Sequence, residues 1–457
     1  MSLIIRNFAP NKKNQRQTGM KRKIEKRLAE WKNTPGHNPL VIKGCRQCGK
    51  TYSVLKFARE NYRNVVYVNF FEEPRYADIF SGSLNVDTIC GYMSAALGRE
   101  AVFAPGETCI VLDELQECPE ARTALKFFKM DGRYDVICTG SLLGVSGYSD
   151  KVVSVPVGYE TIIEMYPMDF EEFLWAMGIG DEVTSELARC METVTPVPDL
   201  LHSVMRERLR EYVVVGGMPA VVGEYARSKM FAGVLSMQRA IVNGYRDDMV
   251  KYAAKEDKSK IRECFDSIPK QLAKENKKFQ YSMIRRKGSA AFYAGSIQWI
   301  EDAGIVRRCH NTTITQLPLD GNAVPDVFKI YMADIGLFVS MLEDGTQFDI
   351  LQGRMDAYNG AIYENLVADI LGKMGRKLYY FRKESGLEID FLMRYQGECV
   401  LLECKSKSGD TKSARTILNH PEKYHVRREI KLGDYNVGQA GQLTTLPLYM
   451  AFLLREY

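Results

Sequence analysis

An α/β fold built on a parallel sheet is predicted by three observations: a glycine-bounded loop, a series of short apolar runs, and helical spacing between them. The loop is Gly44-Cys45-Arg46-Gln47-Cys48-Gly49-Lys50-Thr51, which follows the apolar Pro39–Ile42 and leads into a helical pattern from Thr51 to Asn61. The runs Val65–Phe70, Cys109–Leu112 and Val136–Thr139 alternate with helical patterns at Val86–Leu97 and Ala121–Phe128. Short buried strands alternating with helices are the pattern of a parallel sheet covered on both faces.

Strand, loop and helix in that order make a phosphate cradle. Gly44 and Gly49 permit the turns that aim loop N–H groups, from Cys45 through Cys48, at phosphate oxygens, and the helix start adds its positive end. Lys50 is expected to reach the β and γ phosphates of ATP, and the Thr51 hydroxyl to ligate Mg²⁺. Cys45 and Cys48 also match a Cys-x-x-Cys pair, but no second such pair or Cys/His cluster completes a zinc site. They are read as small residues filling the loop. Asp113 and Glu114 close an apolar strand. Asp113 is expected to hold the metal's hydration shell, and Glu114 to orient and deprotonate a water. The run Val65–Phe70 lies between loop and acidic pair in sequence, which sets the strand ending at Ser141 between the other two in space. Thr139 or Ser141 would then sense the γ-phosphate, with a helix cap as the plainer role of Ser141.

The 457 residues suffice for two to four domains, and 46% hydrophobic with 26% charged residues is ordinary for a globular chain. Eleven cysteines without framework spacing suggest a reducing, cytoplasmic setting. The most apolar run, Val213–Val222, is interrupted by glycines and Pro219 and is too short to span a bilayer. The net charge of +5 is uneven: from Lys251 to Lys287 there are twelve Lys/Arg and five Asp/Glu. Such an excess footprints DNA or RNA in some proteins and is a solvated helical face in others.

Taken in order, residues 1–19 read as a disordered lead-in. Lys21–Lys32 has helical spacing with Ile24, Leu28 and Trp31 on one stripe. Glu182–Leu200, with Thr195-Pro196-Val197-Pro198, reads as a hinge. Helical patterns at Lys260–Ala273, from Gln280, and at Ser289–Ala303 precede β-like runs at Ile305–Cys309 and Val327–Met332. Three helices and a strand pair suggest a winged helix over part of residues 200–340. Its third helix offers Ala290, Ala291, Phe292, Tyr293 and Trp299, which read no base edges, so protein docking fits it equally well.

The loop, the Cys109–Glu114 strand, the turn Ile137–Gly144 and the stretch Glu164–Leu174 resemble an AAA-type P-loop ATPase. The subgroup is the prokaryotic ATPases fused to a C-terminal domain of unknown function. The resemblance implies an ATPase domain over residues 20–180 and a fifth strand near Thr161–Met165. Relatives usually carry Gly-Arg just before that strand; this chain has Gly158-Tyr159. Arg122 and Arg133 are the nearest replacements by position, so a partner arginine or unassisted turnover stays open. Leu209–Val222 and Tyr245–Met249 match segments that follow the ATPase core in such proteins, and packing at a joint is their expected role.

In the last segment, 355–457, a helical pattern at Gly360–Gly375 contains Glu364, and strands are predicted at Lys377–Phe381, Glu388–Leu392 and Val400–Lys405. Residues two apart in a strand share a face, so Glu403 and Lys405 project together and Asp390 can meet them. Two carboxylates and a lysine can hold Mg²⁺ and activate a water for phosphodiester cleavage, with Glu364 adding a metal-binding carboxylate. The ordered set resembles the PD-(D/E)xK restriction-endonuclease-like superfamily. A salt-bridged cluster is the alternative. The chain is thus expected to be a cytoplasmic ATPase. Its nucleotide state either drives a nuclease-like domain on nucleic acid or switches binding to a protein partner or a second copy, the nuclease-like domain being silent.

Overall fold

The computed structural model describes residues 19–141, 158–253, 257–286, 288–354, 360–405 and 412–455. The expected lead-in up to residue 18 and the part of the turn after Ser141 lie outside these residues.

Helix α1 (Lys23–Asn33) buries Ile24, Leu28 and Trp31, the stripe its spacing predicts. It is followed by β1 (Leu40–Gly44), α2 (Lys50–Asn61), β2 (Asn64–Asn69), α3 (Val86–Leu97), β3 (Thr108–Asp113), α4 (Pro119–Asp131), β4 (Asp135–Ser141) and β5 (Thr161–Glu164). The five strands form one parallel sheet in the order β2-β3-β4-β1-β5. β4 lies between β1 and β3, as the inserted strand implied. Every residue of β3 is buried, which is why its sequence is a continuous apolar run rather than an alternating one.

Helix α5 (Phe170–Ala176) starts at a capping box in which Asp169 accepts from the Glu172 N–H and Glu172 accepts from the Asp169 N–H. Then come α6 (Asp181–Glu192), α7 (Asp199–Val215), α8 (Pro219–Ser228), α9 (Val234–Tyr252), α10 (Lys258–Leu272) and α11 (Ala290–Asp302). Most of the stretch expected to be a hinge is helical. Its Pro-containing part is pinned to the C-terminal region, because the Asn436 side chain both accepts from the Val197 N–H and donates to the Val197 carbonyl, each at 2.8 Å.

The remaining elements are β6 (Val306–Thr312), β7 (Ala323–Met332), α12 (Ile335–Ser340), α13 (Thr346–Leu351), α14 (Ala361–Lys373), β8 (Leu378–Arg382), β9 (Glu388–Tyr395), β10 (Glu398–Lys405), α15 (Lys412–Leu418), α16 (Pro421–Tyr424), β11 (Glu429–Gly433), β12 (Gly438–Ala440) and β13 (Leu443–Pro447). The strands make one mixed sheet, β12-β13-β11-β10-β9-β8-β6-β7.

The middle of the chain differs from the expected winged helix in two ways. The helix expected from Gln280 is a single 3₁₀ turn, Tyr281–Met283. The chain before it is held extended, since Phe279 donates its N–H to Phe328 O and Gln271 bonds Gln280 in both directions. The strand pair expected to form the wing runs on into the C-terminal sheet, because β6 pairs in parallel with β8.

The two sheets meet across one apolar core running from Ile24 to Leu454. Phe170 stacks with Phe173, and its edge meets Phe452 from the chain's C-terminal end. Each such ring is worth roughly 1.5–3 kcal/mol in burial alone. The joint also holds a buried polar node. The Lys373 ammonium bonds Asp369 (2.9 Å), Asp334 (3.3 Å), the Tyr212 hydroxyl (2.9 Å) and Met168 O (3.1 Å), and Gly217 N–H donates to Asp334 at 2.7 Å. The Gly216-Gly217 segment, which has no chemistry of its own, thereby ties β5's exit to α12 and α14.

Candidate functional site

The phosphate loop joins β1 to α2, and its two glycines are dictated by geometry. A Cβ on Gly44 would stand 2.3 Å from Met165 O, and Gly49, at φ +94°, caps α2 in the left-handed region. The loop is clamped on two sides. Arg22, just before α1, donates to Cys48 O at 3.1 Å and to Tyr166 O at 2.9 Å while paired with buried Glu172 at 3.0 Å. From α9, Asp248 pairs with Arg46 at 2.7 Å and the Tyr245 hydroxyl donates to Arg46 O at 3.2 Å. The Tyr245–Met249 segment therefore touches the loop itself.

Lys50 is buried, its ammonium donating to Gly44 O and Cys45 O, both at 3.0 Å. Cys45 and Cys48 are buried in the loop wall. A hydrogen bond from Cys45 leads the effects that bring the Cys48 thiol down to about 6, against burial and helped by the Lys50 and Arg22 charges.

The end of β3 brings the acidic pair beneath the loop. Thr51 Oγ1 lies 3.0 and 3.1 Å from the two Asp113 oxygens. Asp113 also accepts from the Tyr67 hydroxyl at 2.8 Å, from Asn69 Nδ2 at 3.2 Å and from the Thr139 hydroxyl. Tyr67 and Asn69 escaped the sequence reading, and Thr139 was expected at the γ-phosphate rather than at Asp113. Asn69 was the findable one, a polar strand end in direct register with Asp113. Glu114 stands at φ +56°, an unusual conformation for a non-glycine residue and one that concentrates at functional positions. Gln116 donates to Glu114 at 2.5 Å and accepts from the Ser141 N–H at 3.2 Å, linking the expected base to the expected sensor position. Thr139 turns to Asp113. Among the described residues, the hydrogen-bond partners of Asp113 are all neutral donors. A hydroxyl and a carboxylate oxygen are the hard donors that Mg²⁺ takes, so the residues present fit the ion.

The two candidate arginines sit in salt bridges. Arg122 is held by Glu160 through contacts of 3.0 and 2.6 Å, and Arg133 pairs with Asp87 and Asp131.

In the mixed sheet, β9 and β10 pair antiparallel and bring Asp390 beside Glu403 and Lys405. Asp390 accepts from the Cys404 N–H at 2.9 Å, and Lys405 lies 3.5 Å from Glu403. Burial, then the facing Asp390 carboxylate, pushes Glu403 well above the usual carboxylate range. Glu364 on α14 is in ion pairs: Lys277 at 2.7 Å and Lys329 at 3.4 Å, with the Tyr331 hydroxyl donating at 2.7 Å. Burial would raise Glu364, but Lys329 and Lys277 outweigh it and hold it at about 2. Among the described residues no group of three or more His, Cys, Asp or Glu side chains is arranged to hold a metal ion. A cleft of about 540 Å³ lies on this sheet between Leu319, Arg376, Tyr379 and Arg394, and none of the residues above lines it.

No helix among the described residues is long and apolar enough to cross a membrane. No curated protein matches the chain. Of the solved structures, the Walker-type ATPase PABY2304 of Pyrococcus abyssi shares 15% identity over 72% of this chain and 97% of its own, with a TM-score of 0.42. The Aeropyrum pernix ORC1 protein in complex with DNA shares 13% over 72% and 91%, with a TM-score of 0.29. AMPPCP-bound DnaA from Aquifex aeolicus shares 15% over 61% and 86%, with a TM-score of 0.27. Residues 206–347 and 359–449 match two families each described as a domain of unknown function. Residues 36–174 match the family described as AAA domain, and with the five-stranded sheet and loop above they form an AAA-type P-loop ATPase domain.

Proposed function

We propose that this chain is a Mg²⁺-dependent, ATP-hydrolysing switch whose nucleotide state is relayed through α9 to the rest of the molecule. The observation that carries it is the contact of Thr51 with Asp113 under a loop whose Arg46 is gripped by α9. On this reading the phosphates bind the N–H groups at the start of α2, and Lys50 moves its ammonium from two loop carbonyls to phosphate oxygens. Thr51 and Asp113 hold Mg²⁺, which supplies neutralisation of phosphate charge. Glu114, once released by Gln116, takes the proton of the attacking water. A phosphate ligand competes with the grip on Arg46, so α9 is the element that feels occupancy of the loop. Its partners would be a protein or a second copy of the chain, met in the cytoplasm. Glu114→Gln should keep ATP affinity while turnover drops about 10²–10⁴-fold; retained turnover would remove Glu114 from this role.

A second reading, ATP-driven work on DNA or RNA by a winged-helix-like middle and a PD-(D/E)xK-like domain, is favoured by the meeting of Asp390, Glu403 and Lys405. Exposed Arg262, Lys270, Arg285 and Arg286 in and after α10 also favour it. Against it, Arg262 is partly neutralised by Asp266, and α11 exposes Ala290, Ala291, Phe292 and Gly295. Incubating plasmid and RNA with Mg²⁺ and ATP tests it: cleavage that is lost in Asp390→Ala would establish it.

A further inference from the structure

The C-terminal carboxylate cluster carries its own cations. Lys329 on β7 is 1% exposed, 3.4 Å from Glu364 and 3.0 Å from Glu388. Lys277, from the extended segment before the 3₁₀ turn, lies 2.7 Å from Glu364 and is also buried. Arg382 pairs with Glu388 at 3.1 Å, and Lys405 with Glu403 at 3.5 Å. Four carboxylates, Glu364, Glu388, Asp390 and Glu403, thus stand among four cations, Lys277, Lys329, Arg382 and Lys405, with the Lys405 charge also facing Asp390. The next strand, β11, adds Glu429 and Lys431, one of each sign, and leaves the balance unchanged.

We infer that Lys329 and Lys277 stand where a nuclease-like centre would take a divalent cation, so that this centre is a charge-compensated clamp and not a metal-dependent phosphodiesterase. Both oxygens of Glu364 already accept, one from Lys277 and the other from Tyr331 and Lys329. One oxygen of Asp390 accepts from the Cys404 N–H. A divalent ion would have to displace buried ammonium groups held by carboxylates, or add two positive charges where the cations already equal the carboxylates in number. Either is opposed by the cost of taking a charge out of water without a new partner for it. The clamp fastens three parts of the chain: the segment before the 3₁₀ turn through Lys277, the β6–β7 hairpin through Lys329, and the C-terminal elements α14, β9 and β10 through the carboxylates. The inference concerns a different sheet from the ATPase reading and stands or falls without it.

The test is Mn²⁺ binding to the full chain carrying Asp113→Asn, which removes the ion expected at the phosphate loop, read by electron paramagnetic resonance. This background should bind no Mn²⁺ at the C-terminal cluster. Adding Lys329→Met, or Lys277→Gln as the milder change, should raise affinity there by roughly tenfold or more, and adding Asp390→Asn should abolish the gain. Mn²⁺ bound by the Asp113→Asn chain and lost on adding Asp390→Asn and Glu403→Gln would overturn the inference, as would unchanged affinity in both folded lysine variants. If Lys329→Met does not fold, the Asp113→Asn measurement and Lys277→Gln still decide it.

Discussion

The molecule holds two acidic centres, Asp113 at the end of β3 and Glu364 on the helix α14 beside the second sheet, and they are furnished in opposite ways. Asp113 receives hydrogen bonds from Thr51, Tyr67, Asn69 and Thr139, all neutral. Glu364 receives two ammonium groups and a tyrosine hydroxyl. Neutral donors orient a carboxylate and leave its charge for a metal, whereas ammonium donors consume that charge. On the readings proposed above, carboxylates that look alike in sequence would be divided into a binding centre and an internal brace.

Glu364→Gln is the largest expected blow to the comparison. It leaves Lys277 and Lys329 buried beside a neutral amide and should cost about 3–5 kcal/mol, measured by urea unfolding of the intact chain. A loss under about 1 kcal/mol would mean the lysines are not held by that carboxylate. Asp113→Asn keeps the shape of the first centre and removes its charge. Turnover should drop about 10²–10³-fold, or roughly 3–4 kcal/mol of barrier, with little change in unfolding midpoint. The contrast with Glu364 is the point: function without stability at one end, stability without function at the other.

A third test uses the node that joins the sheets, where Asp334 and Asp369 share the single ammonium of Lys373. Burial raises Asp369 from 3.8 to about 7 although Lys373 opposes it. A carboxyl raised in the folded state contributes stability that is complete below its unfolded value and is lost as pH climbs through about 7. Asp369→Asn should therefore gain on the wild type as pH rises across that window, by on the order of 1–3 kcal/mol at pH 8. Urea midpoints across the window measure it, and parallel curves for the two proteins would reject the assignment. Smallest is Asp248→Ala, which removes one carboxylate partner of the partly exposed Arg46 and should alter ATP affinity by a factor of about 2–5. No change in a nucleotide titration would leave α9 outside the relay.

The parallel sheet was legible because its central strands β1, β3 and β4 are buried on both faces and bounded by a loop whose glycines are sterically required. Asp113 and Glu114 could be picked out for the same reason, standing where an apolar strand stops. Tyr67 could not, nor could the contact of Thr139 with Asp113, because both arise from strands brought side by side. The second sheet was read as pieces. Lys329 sits inside the apolar run Val327–Met332, and a lysine there demands a carboxylate partner, a signal that was available and passed over. Nothing local marked Lys277, whose role depends on a helix nearly ninety residues later. The helix expected from Gln280 had adequate spacing, but strand-like contacts with Phe328 and Gln271 prevailed over propensity.

The pairing of β6 with β8 has a practical corollary. A fragment starting at residue 355 would expose β8's long edge, stripped of the hairpin that shields it, and bare strand edges seek partners in other chains. Dissecting this protein for separate expression therefore calls for a cut upstream of residue 306, so that shield and shielded travel together.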